Sequence, residues 1–374
     1  MKRFYIKFLC LLLIICSISC FSFNKIAWAD SDTTLQEIYY IYDLNGNKID
    51  ETNRVEIGDI IITKDFKQYE IISVDKSSLT AYAEYNGDYK KIKVKKGDNV
   101  NMAPNISKSV GLYLTHNDES YVPTDNTSSV YGKGGIHTVA QSLASCFSDL
   151  GYQVYLDETL HLPHDKNAYT RSNVTATSLL ENNVDALFDI HRDGVSRSVY
   201  VKNVDGVERC KVRIVVGQAN PNKDANLQFA MYLVSVAEEI CPWLFLDIYY
   251  AKGHYNQALT SKGLLFEMGT YLAEKKLVLD TVPYLAQVVD KTLFATVADD
   301  GTIEVNPPQT TTENSFVTDV LDDLETQQLE SKYTSNIAIF TTLAIVGISL
   351  VAITFYFMAK KKNIKLLKNK SKQK

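Results

Sequence analysis

Three short stretches of the 374-residue chain concentrate side chains that can hold a metal or move a proton. They are Leu114-Thr115-His116-Asn117-Asp118-Glu119, Asp189-Ile190-His191-Arg192-Asp193 and Leu264-Leu265-Phe266-Glu267. In each, the polar residues leave an apolar run that reads as a strand, and open α/β sheets build their sites at the carboxyl ends of strands. His116 leaves the first run and Glu119 follows three residues later, so one turn can aim an imidazole and a carboxylate at a single point. His191 can supply a third ligand from another strand. Two histidines and one carboxylate form a common catalytic zinc set whose fourth position stays open to water. Glu267, not needed as a ligand, is then available as a general base.

Plainer readings of the same residues exist. A His-x-x-Glu pair alone is weak, His191 can simply close a strand, and Glu267 can pair with Arg192 or Lys262. There is no Cys-x-x-Cys pair for a cysteine zinc site. Three of the six cysteines lie in the first 20 residues, leaving Cys146, Cys210 and Cys241 as an odd set. The Gly-x-Ser-x-Gly elbow of serine hydrolases is missing as well.

The elements that must position these residues follow from periodicity. Residues 34–100 hold short Ile, Val and Tyr-rich runs separated by turn signals such as Asn45-Gly46-Asn47 and Asn86-Gly87-Asp88, which predicts a small antiparallel barrel or sandwich. It has no histidine and no cysteine, which assigns it a binding or spacing role. From residue 109 the pattern becomes alternating strands and helices: strands at 110–114, 153–156, 186–190 and 264–266, and helices at 134–150, 168–182, 222–240 and 273–298. A hairpin at 198–216 turns at Asp205-Gly206. This alternation predicts an α/β fold, a mainly parallel sheet with helices on both faces, preceded by a small all-β domain.

With 45% hydrophobic and 11% aromatic residues the chain is globular rather than disordered, and its net charge of −5 conceals basic ends. Residues 1–29 and 360–374 are lysine-bearing and carry no acid, so the body between them is strongly acidic and unsuited to nucleic acid. Residues 1–29 read as a signal peptide ending in Ala27-Trp28-Ala29. Residues 337–359 are an uncharged run, long enough at ~1.5 Å per residue to cross a ~30 Å hydrocarbon core. The lysines after it orient the C-terminus inward. The expected organisation is a signal peptide (1–29), a β-rich domain (30–105), a catalytic domain (106–299), a linker (300–336), a transmembrane helix (337–359) and a basic cytoplasmic tail (360–374). The expected location is the cell membrane, with the catalytic domain extracytoplasmic.

The stretches THNDESY (115–121), DIHRD (189–193), GQANPN (217–222), GHYNQAL (253–259) and LLFEMGT (264–270) resemble the stage II sporulation protein P family, zinc-dependent N-acetylmuramoyl-L-alanine amidases of endospore-forming bacteria. The resemblance implies an amidase fold and Zn2+ held by His116, Glu119 and His191, with Glu267 catalytic. It implies cleavage of the amide between the lactyl group of muramic acid and the L-alanine of the stem peptide, during engulfment. Its implied partners are peptidoglycan glycan strands and stem peptides, the membrane, the stage II sporulation protein D lytic transglycosylase and other engulfment proteins. Arg192 is expected to contact a stem-peptide carboxylate or brace Glu267; Asn256, Gln257 and His164 are expected at the substrate. The third ligand stays open between Glu119 and His137 or His164. A metal-free peptidoglycan-binding scaffold and a metallo-carboxypeptidase acting on stem peptides are the alternatives.

Overall fold

The computed structural model describes residues 37–96, 108–298 and 300–305. Five strands come first: β1 (Tyr39–Asp43), β2 (Lys48–Thr52), β3 (Ile60–Thr63), β4 (Lys67–Asp75) and β5 (Thr80–Asp88), followed by the short β6 (Val94–Lys96). Then follow β7 (Ser109–Tyr113), α1 (Val122–Asp125), α2 (Ile136–Asp149), β8 (Gln153–Asp157), α3 (Ala168–Leu180) and β9 (Ala186–Asp193). Next are α4 (Arg197–Tyr200), β10 (Val201–Val204), β11 (Val207–Cys210), β12 (Val212–Gly217), α5 (Lys223–Ile240) and β13 (Phe245–Ala251). The last are β14 (Gly263–Thr270), α6 (Lys275–Leu279), α7 (Val282–Leu293), β15 (Thr296–Val297) and β16 (Ile303–Val305).

Eleven strands form one sheet in the order β2-β1-β5-β4-β3-β13-β12-β14-β9-β7-β8. The half running from β14 to β8 is parallel, and β12 enters antiparallel to β14 but parallel to β13. Strands β7, β9 and β12 are buried along their whole length, as expected for strands covered on both faces. Because successive strand residues face opposite sides, Phe188 and Leu187 serve different layers. Phe188 stacks with Phe147 of α2 and Phe229 of α5, whereas Leu187 packs with Ala176 and Leu179 of α3. Leu187, Asp189, His191 and Asp193 therefore share a face, as do Arg213 and Val215 on β12 and Leu265 and Glu267 on β14.

The strand-rich segment does not close on itself. Its β3 pairs antiparallel with β13, Ile62 opposite Ile248, so it extends the central sheet. The segment then curls back, helped by register shifts in β1 and β4 that sharpen local twist. Ile41, Ile61, Ile71, Ala81 and Ala83 consequently share one core with Val215, Tyr249, Ala251 and Leu265. Arg213 fixes the return contact: its guanidinium binds Asp247 (Nε–Oδ1 2.8 Å), Asp193 (Nη1–Oδ2 3.0 Å) and Asp50 of β2.

Strand β13 is not anticipated by the sequence pattern, since its run follows the long α5 almost directly. The final helix expected at 273–298 divides into α6 and α7, because Pro283 sits in the first turn of α7, where a missing N–H costs nothing. The membrane location is corrected. Among the described residues no helix is long and apolar enough to cross a membrane. The segments that suggested it, 1–29 and 337–359, lie outside the described residues, as do the tail 360–374 and most of the linker, and the expectation is withdrawn.

Candidate metal centre

The chain leaving β7 is tied at once to β9. Thr115 donates from its backbone N (2.9 Å) and its Oγ1 (2.6 Å) to the two oxygens of Asp189. His116 follows, and its Nδ1 lies 3.2 Å from Glu119 Oε1. The same oxygen is 3.6 Å from Nδ1 of His191. The ligating atoms of His116, Glu119 and His191 all lie within 4.8 Å of one another. Behind His191, Nε2 lies 3.0 Å from Asp189 Oδ1, an ion-pair distance without the alignment of a hydrogen bond.

Glu119 is held by backbone. Its Oε2 accepts the N–H of Arg192 at 2.9 Å, and its carbonyl accepts the N–H of Ile136 at the start of α2. Gly134 makes that approach possible: a Cβ there would lie 2.1 Å from the Glu119 carbonyl oxygen.

The charges are set for a cation. Burial would raise the Glu119 carboxyl, but the charges of His191 and Arg192, with the hydrogen bond from His116, hold it well below the usual carboxylate range. Burial likewise opposes a proton on His191, and Asp189 and Glu119 outweigh it, lifting the imidazole well above its ordinary value. His116 is different: burial, aided by His191 and His164, lowers it to about 4 despite Glu119. A neutral imidazole, an ionised carboxylate and an imidazole whose proton a metal would replace suit a divalent ion with nitrogen and oxygen ligands.

Glu267 stands beside this cluster. It lies in the middle of β14, not at its end, as the register partner of His191 on one side and Arg213 on the other. Its Oε2 is buried with no hydrogen-bond partner among the described residues. Burial first, then the charge of Asp193, holds its carboxyl well above the usual range, with His191 opposing. Glu267, His116, Glu119 and His191 line one cavity of about 280 Å³.

The other expected residues fare differently. His164 is in the site: its ring stacks on His116 with centroids 3.8 Å apart, and its Nδ1 is 2.9 Å from Asp118 Oδ1. Arg192 does not reach the reacting centre through its side chain. One residue on from His191 in a strand, it points elsewhere and donates to the carbonyls of Ser120 (3.3 Å) and Ser128 (2.9 Å). Asn256 and Gln257 are also corrected. Gln257 is buried, accepts from Gly217 N and donates to Val215 O, both at 2.8 Å. Asn256 is likewise buried, its amide spent on Asn173, Tyr169 and Ser172. His137 is bound to Glu158 at 2.7 Å and lies outside the cluster. Sequence reasoning missed Asp189 and Tyr169. The ring of Tyr169 stands edge-on to His116 and stacked beside His191. The alternation Asp189-x-His191-x-Asp193 was the available signal for the aspartates.

The profile of Stage II sporulation protein P (SpoIIP) matches residues 36–290, across both the curled strands and the metal cluster. The chain belongs to the SpoIIP family. Within that family, it is 28% identical over 181 residues to Stage II sporulation protein P of Bacillus subtilis (strain 168), covering 43% of this chain and 45% of that relative. The chain thus matches under half the length of this curated relative. Among solved structures it is similar to the CwlD amidase from Clostridioides difficile in complex with the GerS lipoprotein, at 13% identity and a TM-score of 0.37, covering 50% of this chain and 98% of that one. It is similar also to the catalytic domain of CwlV, an N-acetylmuramoyl-L-alanine amidase from Bacillus (Paenibacillus) polymyxa var. colistinus, at 16% identity and a TM-score of 0.32, covering 50% and 96%. Likeness at that level leaves the chemistry to be read from the site itself.

Proposed function

We propose that this SpoIIP-family chain is a peptidoglycan hydrolase, a zinc-dependent N-acetylmuramoyl-L-alanine amidase that frees the stem peptide from muramic acid during engulfment. The observation that carries this reading is a buried carboxylate oxygen without a partner, on Glu267, in the same cavity as a His116–Glu119–His191 cluster set for a cation.

His116, Glu119 and His191 would hold the ion. Bound there, zinc supplies a Lewis acid and lowers the pKa of water to ~7. The protein's own groups do the rest. Thr115 fixes the Asp189 carboxylate, which stands as a counter-charge beside His191, and the Arg192 N–H holds Glu119 in place. Burial and Asp193 give Glu267 a high proton affinity, which suits a group that takes a proton from the attacking water and passes it to the departing alanine nitrogen. Tyr169, packed against both imidazoles, keeps bulk water from their flank. In this reading Arg192 is a positioning residue. The family resemblance makes the stage II sporulation protein D lytic transglycosylase the partner to test by co-purification.

Digestion of purified muropeptides by the full chain, with and without zinc, tests the reaction. Zinc-dependent release of stem peptides with a free N-terminal alanine is the expected result. Cleavage within the stem peptide would replace this reading with a carboxypeptidase, and glycan binding without cleavage would replace it with a scaffold.

A further inference from the structure

The cavity over the metal centre has a second wall, built by the strand-rich segment. Thr52 at the end of β2, with Arg54 and Glu56 from the stretch between β2 and β3, lines it, together with Lys252 directly after β13. That stretch is fastened from beneath. Asp59, buried, accepts from the N–H of Glu56 and of Lys252 at 2.8 Å and from the Tyr249 hydroxyl at 3.1 Å. Its carboxylate is thus fully used within the protein. Two cations remain at the rim. Among the described residues the Arg54 guanidinium pairs with the exposed Glu56 alone, at 2.9 Å through one terminal nitrogen, which leaves most of its five donors available. Lys252 lies across Gly58, where a Cβ would stand 2.6 Å from Nζ. Gly58 is at φ +87°, so the absence of a side chain serves both the turn and the passage of the lysine.

A cavity with an acidic, metal-suited floor and a cationic rim selects a ligand of matching polarity: a hydrolysable amide with a carboxylate a short distance along the chain. A stem peptide has that form when its second residue carries a free α-carboxylate, because consecutive Cα atoms are only ~3.8 Å apart. We propose that Arg54 and Lys252 form a carboxylate subsite that reads the acidic second residue of a stem peptide whose first amide lies over His116, Glu119 and His191. This inference rests on the amidase reading. It gives the strand-rich segment a share in substrate selection, through a guanidinium fork suited to carboxylates and a point charge opposite it.

The experiment pairs two muropeptides, one with a free α-carboxylate at the second residue and one with that group as a carboxamide, on the full zinc-loaded chain. The expected result is a kcat/KM about 10-fold higher for the acid, the size of one charge-assisted contact. Arg54→Gln and Lys252→Met should each bring the ratio toward one by slowing the acid substrate. Calorimetry of the metal-free chain with the two free stem peptides supplies a readout that does not pass through hydrolysis, and the acid should bind more tightly to wild type alone. Equal kcat/KM for the two substrates, or a preference undiminished in both variants, would overturn the subsite. If neither muropeptide is cleaved while wild type still binds the acid preferentially and the variants do not, the subsite stands and the proposed reaction falls.

Discussion

Glu267 and His191 are register partners on adjacent parallel strands, so backbone hydrogen bonds, and not a bond between their side chains, keep a carboxylate beside an imidazole. Glu267 can therefore be changed without dismantling the ligand cluster. Glu267→Gln should retain stoichiometric zinc, while muropeptide turnover falls ~10²–10⁴-fold, the usual contribution of a positioned acid–base group. Metal analysis alongside kinetics checks this; loss of zinc in the variant would make Glu267 a ligand.

His116→Ala and His191→Ala each remove one of three candidate ligands. Both variants should lose bound zinc and hydrolysis while keeping their circular dichroism, since neither side chain belongs to the packed aromatic core around Phe188. Zinc at wild-type stoichiometry in both would exclude the assignment.

Asp189 touches His191 and Thr115 but no ligating position. Asp189→Asn should weaken zinc binding ~10–100-fold, as is typical of a carboxylate behind a metal-binding histidine. A competition titration against a chromogenic chelator measures it, and an unchanged affinity would reduce Asp189 to a link between β7 and β9.

Gln257 bonds two backbone groups of β12, the N–H of Gly217 and the carbonyl of Val215. Gln257→Ala takes away the acceptor of the buried Gly217 N–H, at about 1–3 kcal/mol, while the Val215 carbonyl still faces Leu265 in the β12–β14 ladder. The variant should therefore be less stable in urea with KM for muropeptide unaltered. A raised KM at wild-type stability would return Gln257 to the substrate site.

Around Arg213, three carboxylates share one guanidinium, and burial favours a proton on Asp50. Burial pushes Asp50 up to about 7, with Arg213 opposing and Asp247 adding. Its unfolded value is ~3.9, so between these pH values the folded chain holds a proton that the unfolded chain has released. The stability Asp50 contributes is present below pH ~4 and is lost as the pH rises toward 7. Asp50→Asn removes the titrating group, and denaturation at pH 5 and pH 7.5 should show a smaller drop than wild type. An identical drop would place the proton elsewhere.

The order of strands and helices through β7, β8, β9 and α2 was legible because apolar runs and helical spacing are local signals. His116, Glu119, His191 and Glu267 were legible as candidates because their types are few and their runs recognisable. Arg192, Asn256 and Gln257 were misread for one physical reason: polarity in sequence says nothing about whether a side chain meets ligand or its own backbone. The sequence offered the period-two pattern that turns Arg192 away from His191, but Asn256 and Gln257 sit where no period applies. The seam between β3 and β13 was out of reach, because pairing across more than 180 residues leaves no mark on either strand.

That seam makes the two halves inseparable in practice. A chain cut after residue 107 would begin with β7 and leave the outer edge of β13 with no strand to pair, a row of open N–H and C=O groups that templates association with other chains. The same cut would bare Val215, Tyr249, Ala251 and Leu265, which now pack beneath the curled strands. What would remain is a sticky, open-sided remnant, so the segment that borders the cavity also acts as the built-in guard of the sheet's edge.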